Sequence, residues 1–163
     1  MSASTHTLLL FTAAERRLAL ALEQISEVVP AFEMKHAPGL AEQLAGLISF
    51  RGRVLPVIDC RWLVDGSRTT LHHQHSFIIA QGSSHEAALL VECVDDLISL
   101  GEEEFRGEDF LHAGERKFRH IVMHRSEMVL VLDIDACMQT AAPLPVNGND
   151  RQTVLEGGYA LEH

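Results

Sequence analysis

The 163-residue chain is short of aromatic side chains, positive charge, cysteine and long apolar runs, and each shortage closes a class of function. One Trp, one Tyr and seven Phe leave most of the 47% apolar content to valine, leucine and isoleucine. Thirteen Lys and Arg face 23 Asp and Glu, for a formal net charge of −10. A field of that sign repels phosphate backbones and anionic lipid surfaces, so neither nucleic acid nor a membrane is the expected partner. No apolar run approaches the roughly 20 residues that span a bilayer. The opening MSASTHTLLLF lacks the basic stretch of a secretory signal, so a cytoplasmic location is expected. Cys60, Cys93 and Cys137 are widely spaced, form no CxxC pair and lie in apolar runs. They read as small buried hydrophobes in a reducing compartment. G-x-S-x-G, P-loop and G-x-G-x-x-G motifs are absent, which removes nucleophile-elbow and nucleotide-binding readings.

What is present is a series of short apolar runs broken by turn residues. Leu8–Phe11 and Leu18–Leu22, split by TAAERR, read as a β-hairpin. In LEQISEVVP, Leu22, Ile25, Val28 and Val29 fall at helical spacing, which predicts a helix of about two turns ending at Pro30. Leu40–Leu44 reads as a further helical turn. Leu47–Phe50 and Val54–Ile58 are strands joined tightly through Arg51-Gly52-Arg53. Pro56 has no N–H, so an edge or a bulge is expected there. Trp62 and Leu63 begin a short helical or irregular segment, and DGSRTTLHHQH marks a polar break. Phe77–Ala80 and Ala87–Val91 form a second hairpin about QGSSHE, and VECVDDLISL continues as a strand. His120–Met123 and Met128–Leu132 form a third hairpin about HRSE, with a short terminal helix over Asp135–Met138. Residues 1–139 are expected to be one domain of two intertwined subdomains, and 140–163 a loose tail whose closing Leu-Glu-His resembles a vector remnant. Many short strands with few helices indicate small all-β barrels, because a parallel βαβ sheet needs longer helices between strands.

Three acidic or histidine patterns invite chemistry. Asp133-x-Asp135 ends an apolar strand, as the carboxylate pair of haloacid dehalogenase phosphatases does, but Ala136 and a tail follow in place of an α/β domain. A small phosphatase-like enzyme using Asp133 and Asp135 is therefore the alternative function. Asp59 and the Asp95-Asp96 pair stand in the wrong order for a receiver domain, and Asp59 is expected to cap the turn that starts near Cys60. His72, His73 and His75 lie in a loop-like stretch without further ligands at metal spacing, so no metal or cofactor is expected. Arg51, on a tight corner between apolar strands, reads on spacing alone first as a solvated turn residue, and alternatively as an interface anchor with the reach and fork geometry for it.

The stretch GLISFRGRVLPVIDCRWLV resembles the CheW-like domain family. Gly46, Ser49-Phe50-Arg51-Gly52, Val54–Asp59 with Pro56, and Arg61 stand in the places of the family's Arg-Gly corner, proline-bearing strand and Asp-Leu-Arg end. The opening hairpin followed by Ile25-Ser26-Glu27-Val28, and the run ALLVECVDDLISL, match two more segments, so the resemblance spans about Leu8 to Met138. Ser49, Phe50, Ala88, Glu92 and the residues about His120 depart from the family pattern and suit a divergent member. The resemblance implies two five-stranded SH3-like β-barrels around a shared core and no catalysis. It implies an adaptor that joins a CheA-type histidine kinase, through its regulatory domain, to the cytoplasmic tips of chemoreceptors. Arg51, Glu27, Val28, Gly46 and Gly52 are the contact residues it implies.

Overall fold

A strand buried on one face alternates polar and apolar residues, whereas one buried on both reads as a continuous apolar run. Leu8, Leu9, Leu10 and Phe11 are all buried, as are Phe77–Ala80, Ala87–Val91 and Val129–Leu132. The computed structural model, which describes residues 5–106 and 118–139, shows what lies on the two faces. The first sheet contains β1 (Thr5–Ala13), β2 (Arg16–Ala21), β8 (Cys93–Gly101), β9 (Phe105–Arg106), β10 (Phe118–His124) and β11 (Glu127–Leu132), in the order β8-β1-β2-β11-β10-β9. The second contains β3 (Ile25–Pro30), β4 (Leu44–Phe50), β5 (Arg53–Asp59), β6 (Ser76–Gln81) and β7 (Glu86–Val91), in the order β3-β6-β7-β5-β4. The chain builds part of the first sheet, then all of the second, then returns to finish the first.

Three apolar cores result. Leu8, Leu10, Ala19, Ile98, Leu100, Val122, Val129 and Val131 fill the first sheet alone. Ile48, Leu55, Val57, Phe77, Ile79, Ala88 and Leu90 fill the second alone. Between the sheets, Phe11, Leu18 and Leu20 meet Ile58, Ile78 and Leu89, together with α1 (Cys60–Asp65) and α2 (Ile134–Gln139). The expected all-β, two-subdomain arrangement with a shared core is the one observed, with the two-residue β9 added to the first sheet.

Several expectations need correction. Ile25–Pro30 is a strand, preceded by a single 3-10 turn at Leu22–Gln24. Its burial alternates residue by residue, and it pairs with β6 from Ile25↔Ala80 to Pro30↔Ser76. Helical spacing of four apolar residues is outweighed by β-branched Ile25, Val28 and Val29 and by an open sheet edge to pair with. In place of a helical turn over Leu40–Leu44, one tight turn, with Leu44 N–H donating to Ala41 O at 3.0 Å, leads into β4, which Leu44 opens. Pro56 lies in an interior strand, but the parallel ladder between β5 and β7 starts only at Val57↔Ala88, after the proline. The expected tail, 140–163, lies outside the described residues.

Cys93 is exposed, unlike Cys60 and Cys137. It heads β8 at the surface, and its Sγ lies 3.3 Å from Asp95 Oδ1, which pushes the thiol pKa upward. Burial raises the Cys60 thiol well above its ordinary value. Of the three thiols, only that of Cys93 is expected to react with a soluble disulfide reagent in the native protein, with all three reacting after denaturation; absorbance titration checks this.

Candidate functional site

Sheet two curls until its edges meet. The segment after β3 pairs with β4, with Lys35 N–H donating to Leu47 O and Leu47 N–H to Lys35 O, both at 2.8 Å. Gly46 sits where this happens. A Cβ there would lie 2.8 Å from the Lys35 carbonyl oxygen and 3.0 Å from Met34 Cβ. Its small size therefore serves the chain's own backbone. Gly46→Ala is expected to cost about 1–3 kcal/mol through the forced shift, measurable as a lower denaturant midpoint with unchanged slope.

The same curling brings together two of the implied contact residues. Glu27, on edge strand β3, and Arg51, in the β4–β5 turn, form an ion pair in which Arg51 Nη2 lies 2.8 and 2.9 Å from the two carboxylate oxygens. The turn demands left-handed backbone at both central residues, with φ of +50° at Arg51 and +79° at Gly52. Two-residue hairpins of this hand match the strand twist. Gly52 answers that demand, and its α-carbon faces open space, so it provides no close approach. The guanidinium lies 5.2 Å from the Phe50 ring centroid. The Arg51 side chain is 66% exposed, so the pair is solvated and contributes at most about 1 kcal/mol to folding. Val28, next to Glu27, is 41% exposed.

At the seam between the sheets, Leu97 of β8 pairs with Leu9, a residue of the shared core, and is itself 51% exposed. Directly paired residues present side chains to the same face. The shared apolar surface therefore runs out to solvent at the edge of the first sheet. Ile25 of β3 packs against the same core. Sequence reading missed Leu97, because a leucine in DDLISL carries no mark of exposure.

The acidic candidates are committed to the fold. Asp59 is fully buried and receives Arg61 N–H at 3.1 Å, Trp62 N–H at 3.4 Å, Thr69 N–H at 3.0 Å and Thr69 Oγ1 at 2.6 Å. It caps α1, as expected. Asp133 Oδ1 accepts from Ala136 N–H at 3.1 Å and caps α2. Asp135 accepts from Ser83 N–H (2.8 Å), Ser83 Oγ (2.5 Å) and Ser84 N–H (3.0 Å), and its Oδ1 lies 3.1 Å from His85 Nδ1. The Ser83 hydroxyl first, then the Ser84 amide, hold its carboxyl far below the usual range. The His72 and His73 rings stack at 4.2 Å, and Nδ1 of His72 and of His75 accept from Gln74 and His72 amides. Among the described residues, no group of three or more His, Cys, Asp or Glu could hold a metal ion. No helix among them is long and apolar enough to cross a membrane.

Against this geometry stand the comparisons with known proteins. A family model described as CheW-like domain matches residues 7–142. A chemotaxis protein CheW of Rhizobium meliloti is 29% identical over 121 residues, covering 72% of this chain and 75% of the relative. One of Thermotoga maritima is 23% identical over 125 residues, covering 77% and 82%. Among solved structures, the scaffolding protein TtCheW of Thermoanaerobacter tengcongensis superposes with a TM-score of 0.71 at 21% identity, over 80% of this chain and 90% of that one.

Proposed function

Since the chain belongs to the CheW-like domain family, a family of chemosensory scaffolds, we propose that it is a non-catalytic adaptor coupling chemoreceptor cytoplasmic tips to a CheA-type histidine kinase in the cytoplasm. The observation that carries this reading is the Glu27–Arg51 pair. It is exposed, contributes little to folding, and is displayed where the edges of the second sheet meet. Only one guanidinium nitrogen contacts Glu27, so the remaining N–H groups are available to a partner's carbonyls or carboxylates. Val28, on the other face of β3, and Leu97, at the seam, supply exposed apolar surface, the kind that receives the apolar stripe of a helical hairpin.

Arg51→Ala is expected to weaken receptor or kinase binding by about 1–3 kcal/mol, while melting stays within about 0.5 kcal/mol of the parent. Calorimetric titration against each partner, with thermal melts alongside, checks this. Unchanged affinity for both partners would remove Arg51 from the interface.

The phosphatase alternative gains no support. It requires a free carboxylate pair, whereas Asp133 is engaged by a helix terminus and Asp135 by the turn over Ser83–His85. Magnesium-dependent hydrolysis of a generic phosphate ester is expected to equal that of Asp133→Asn.

A further inference from the structure

The two sheets repeat one plan. In β3-β6-β7-β5-β4, an antiparallel edge and hairpin join a second hairpin through one parallel ladder, β7 with β5. In β8-β1-β2-β11-β10 the same sequence of pairings recurs, with β2 and β11 parallel. β5 is followed by α1 with Asp59 as its cap, and β11 by α2 with Asp133 as its cap. The residue two positions beyond each cap is tied to the other sheet, Asp135 directly and Arg61 through Glu92, which links β7 to β8.

Asp135 takes the amides of Ser83 and Ser84 in the β6–β7 turn. Gly82 leaves the room for it, since a Cβ there would fall 2.6 Å from Asp135 Oδ1. Arg61 works through an intermediary. Its Nη1 lies 2.8 Å from Glu92 Oε1, and the same oxygen accepts from Ala14 N–H, in the β1–β2 turn, at 2.9 Å. The equivalent turn of the other sheet is thus held by a carboxylate in each case, directly by Asp135 and by Glu92 with an arginine behind it. β2 and β11 run parallel, so the β1–β2 turn lies at the start of β11 and α2 at its end. The two contacts therefore sit at opposite ends of the shared core.

We propose that Asp135 and Glu92 are paired clasps that fix the angle between the two sheets, and with it the width of the seam that receives a partner's helical hairpin. The occupant of the seam rests on the function proposed above; the clasps themselves do not. They differ in kind. Asp135 faces two amides, a hydroxyl and the His85 ring within one ordered turn, whereas the Glu92 clasp has one amide, that of Ala14, and leans on an ion pair with Arg61 whose side chains are 28% and 36% exposed. Screening at about 1 M salt, where the Debye length is about 3 Å, loosens the second more than the first.

The test uses the full chain carrying Cys93→Ser, with spin labels placed through Val54→Cys on the second sheet and Met123→Cys on the first, both exposed positions. Pulsed dipolar spectroscopy reads the distance between sheets. A chemoreceptor cytoplasmic tip fragment is titrated in parallel. Asp135→Ala and Glu92→Ala are each expected to broaden the distance distribution and weaken tip binding about fivefold or more. Arg51→Ala is expected to weaken binding with the distribution unchanged. Where circular dichroism shows an alanine variant unfolded, Asp135→Asn or Glu92→Gln replaces it. Unchanged distributions in the folded variants overturn the clasps, whatever binding does. Broadening with unchanged affinity overturns their link to the seam. Failure of the parent protein to bind the tip overturns the proposed function and leaves the distances to decide the clasps.

Discussion

Phe11→Ala is expected to lower the unfolding free energy by about 3–5 kcal/mol, the range for emptying a fully buried aromatic site. Phe11 is 0% exposed and belongs to the core shared by both sheets. That core draws on both layers, with Leu18 and Leu20 from Phe11's own sheet and Ile78 and Leu89 from the other. A cavity there cannot collapse without moving one sheet against the other, which puts the cost toward the upper part of the range. Equilibrium urea denaturation checks it, read as a lower midpoint at constant slope. A loss below about 1 kcal/mol would mean that the sheets re-close over the gap and that the shared core is softer than its packing indicates.

Asp59→Ala is expected to cost about 2–4 kcal/mol, combining loss of a helix cap with buried amides left without an acceptor. The carboxylate binds two amides of α1 and both the amide and hydroxyl of Thr69, so its removal frees the start of the helix and the loop behind it together. Asp59→Asn keeps one acceptor oxygen and should lose less. Hydrogen exchange separates this change from a core defect. Amides of Arg61, Trp62 and Thr69 should exchange faster in Asp59→Ala, while those of β10 and β11 keep the protection of the parent. Uniform loss of protection would place Asp59 in the global core and remove its local role.

The effects at Arg51 and Asp59 have opposite character, although both residues lie in the same stretch. Arg51 is exposed and held by one solvated partner, so its removal is expected to leave stability nearly unchanged and to read out in binding. Asp59 is at 0% exposure with four donors, so its removal reads out in stability. Burial with four donors commits Asp59 to the fold. It is the cap of α1.

Apolar run length made most of the fold legible in sequence. Leu8–Phe11, Phe77–Ala80, Ala87–Val91 and Val129–Leu132 can be read as strands because burial on both faces removes polar residues from them. The DxD pattern misled toward phosphoryl chemistry because a helix cap followed two residues later by a cross-sheet clasp has the same spelling. Ile25–Pro30 misled because four apolar residues in eight positions fit a helix, while the neighbour that makes them a strand, β6, lies some fifty residues further along. The hairpin turns at Ala14-Glu15 and Arg125-Ser126 fall inside the expected TAAERR and HRSE breaks, but their left-handed backbone carries no glycine to announce it. Their φ values of +51° to +67° are adopted without glycine, under the pull of strand pairing on either side.

By itself, the order of residues determined the strand-rich class, the Asp59 helix cap and the family resemblance, because these depend on apolar content and on contacts within a few positions. Only the tertiary structure decided that Glu27 meets Arg51, that Leu97 is exposed, that Cys93 faces solvent, and that Asp135 accepts from the β6–β7 turn and Glu92 from the β1–β2 turn. Those facts follow from how two curled sheets lie on one another, and sequence separation carries no record of distance across such a seam.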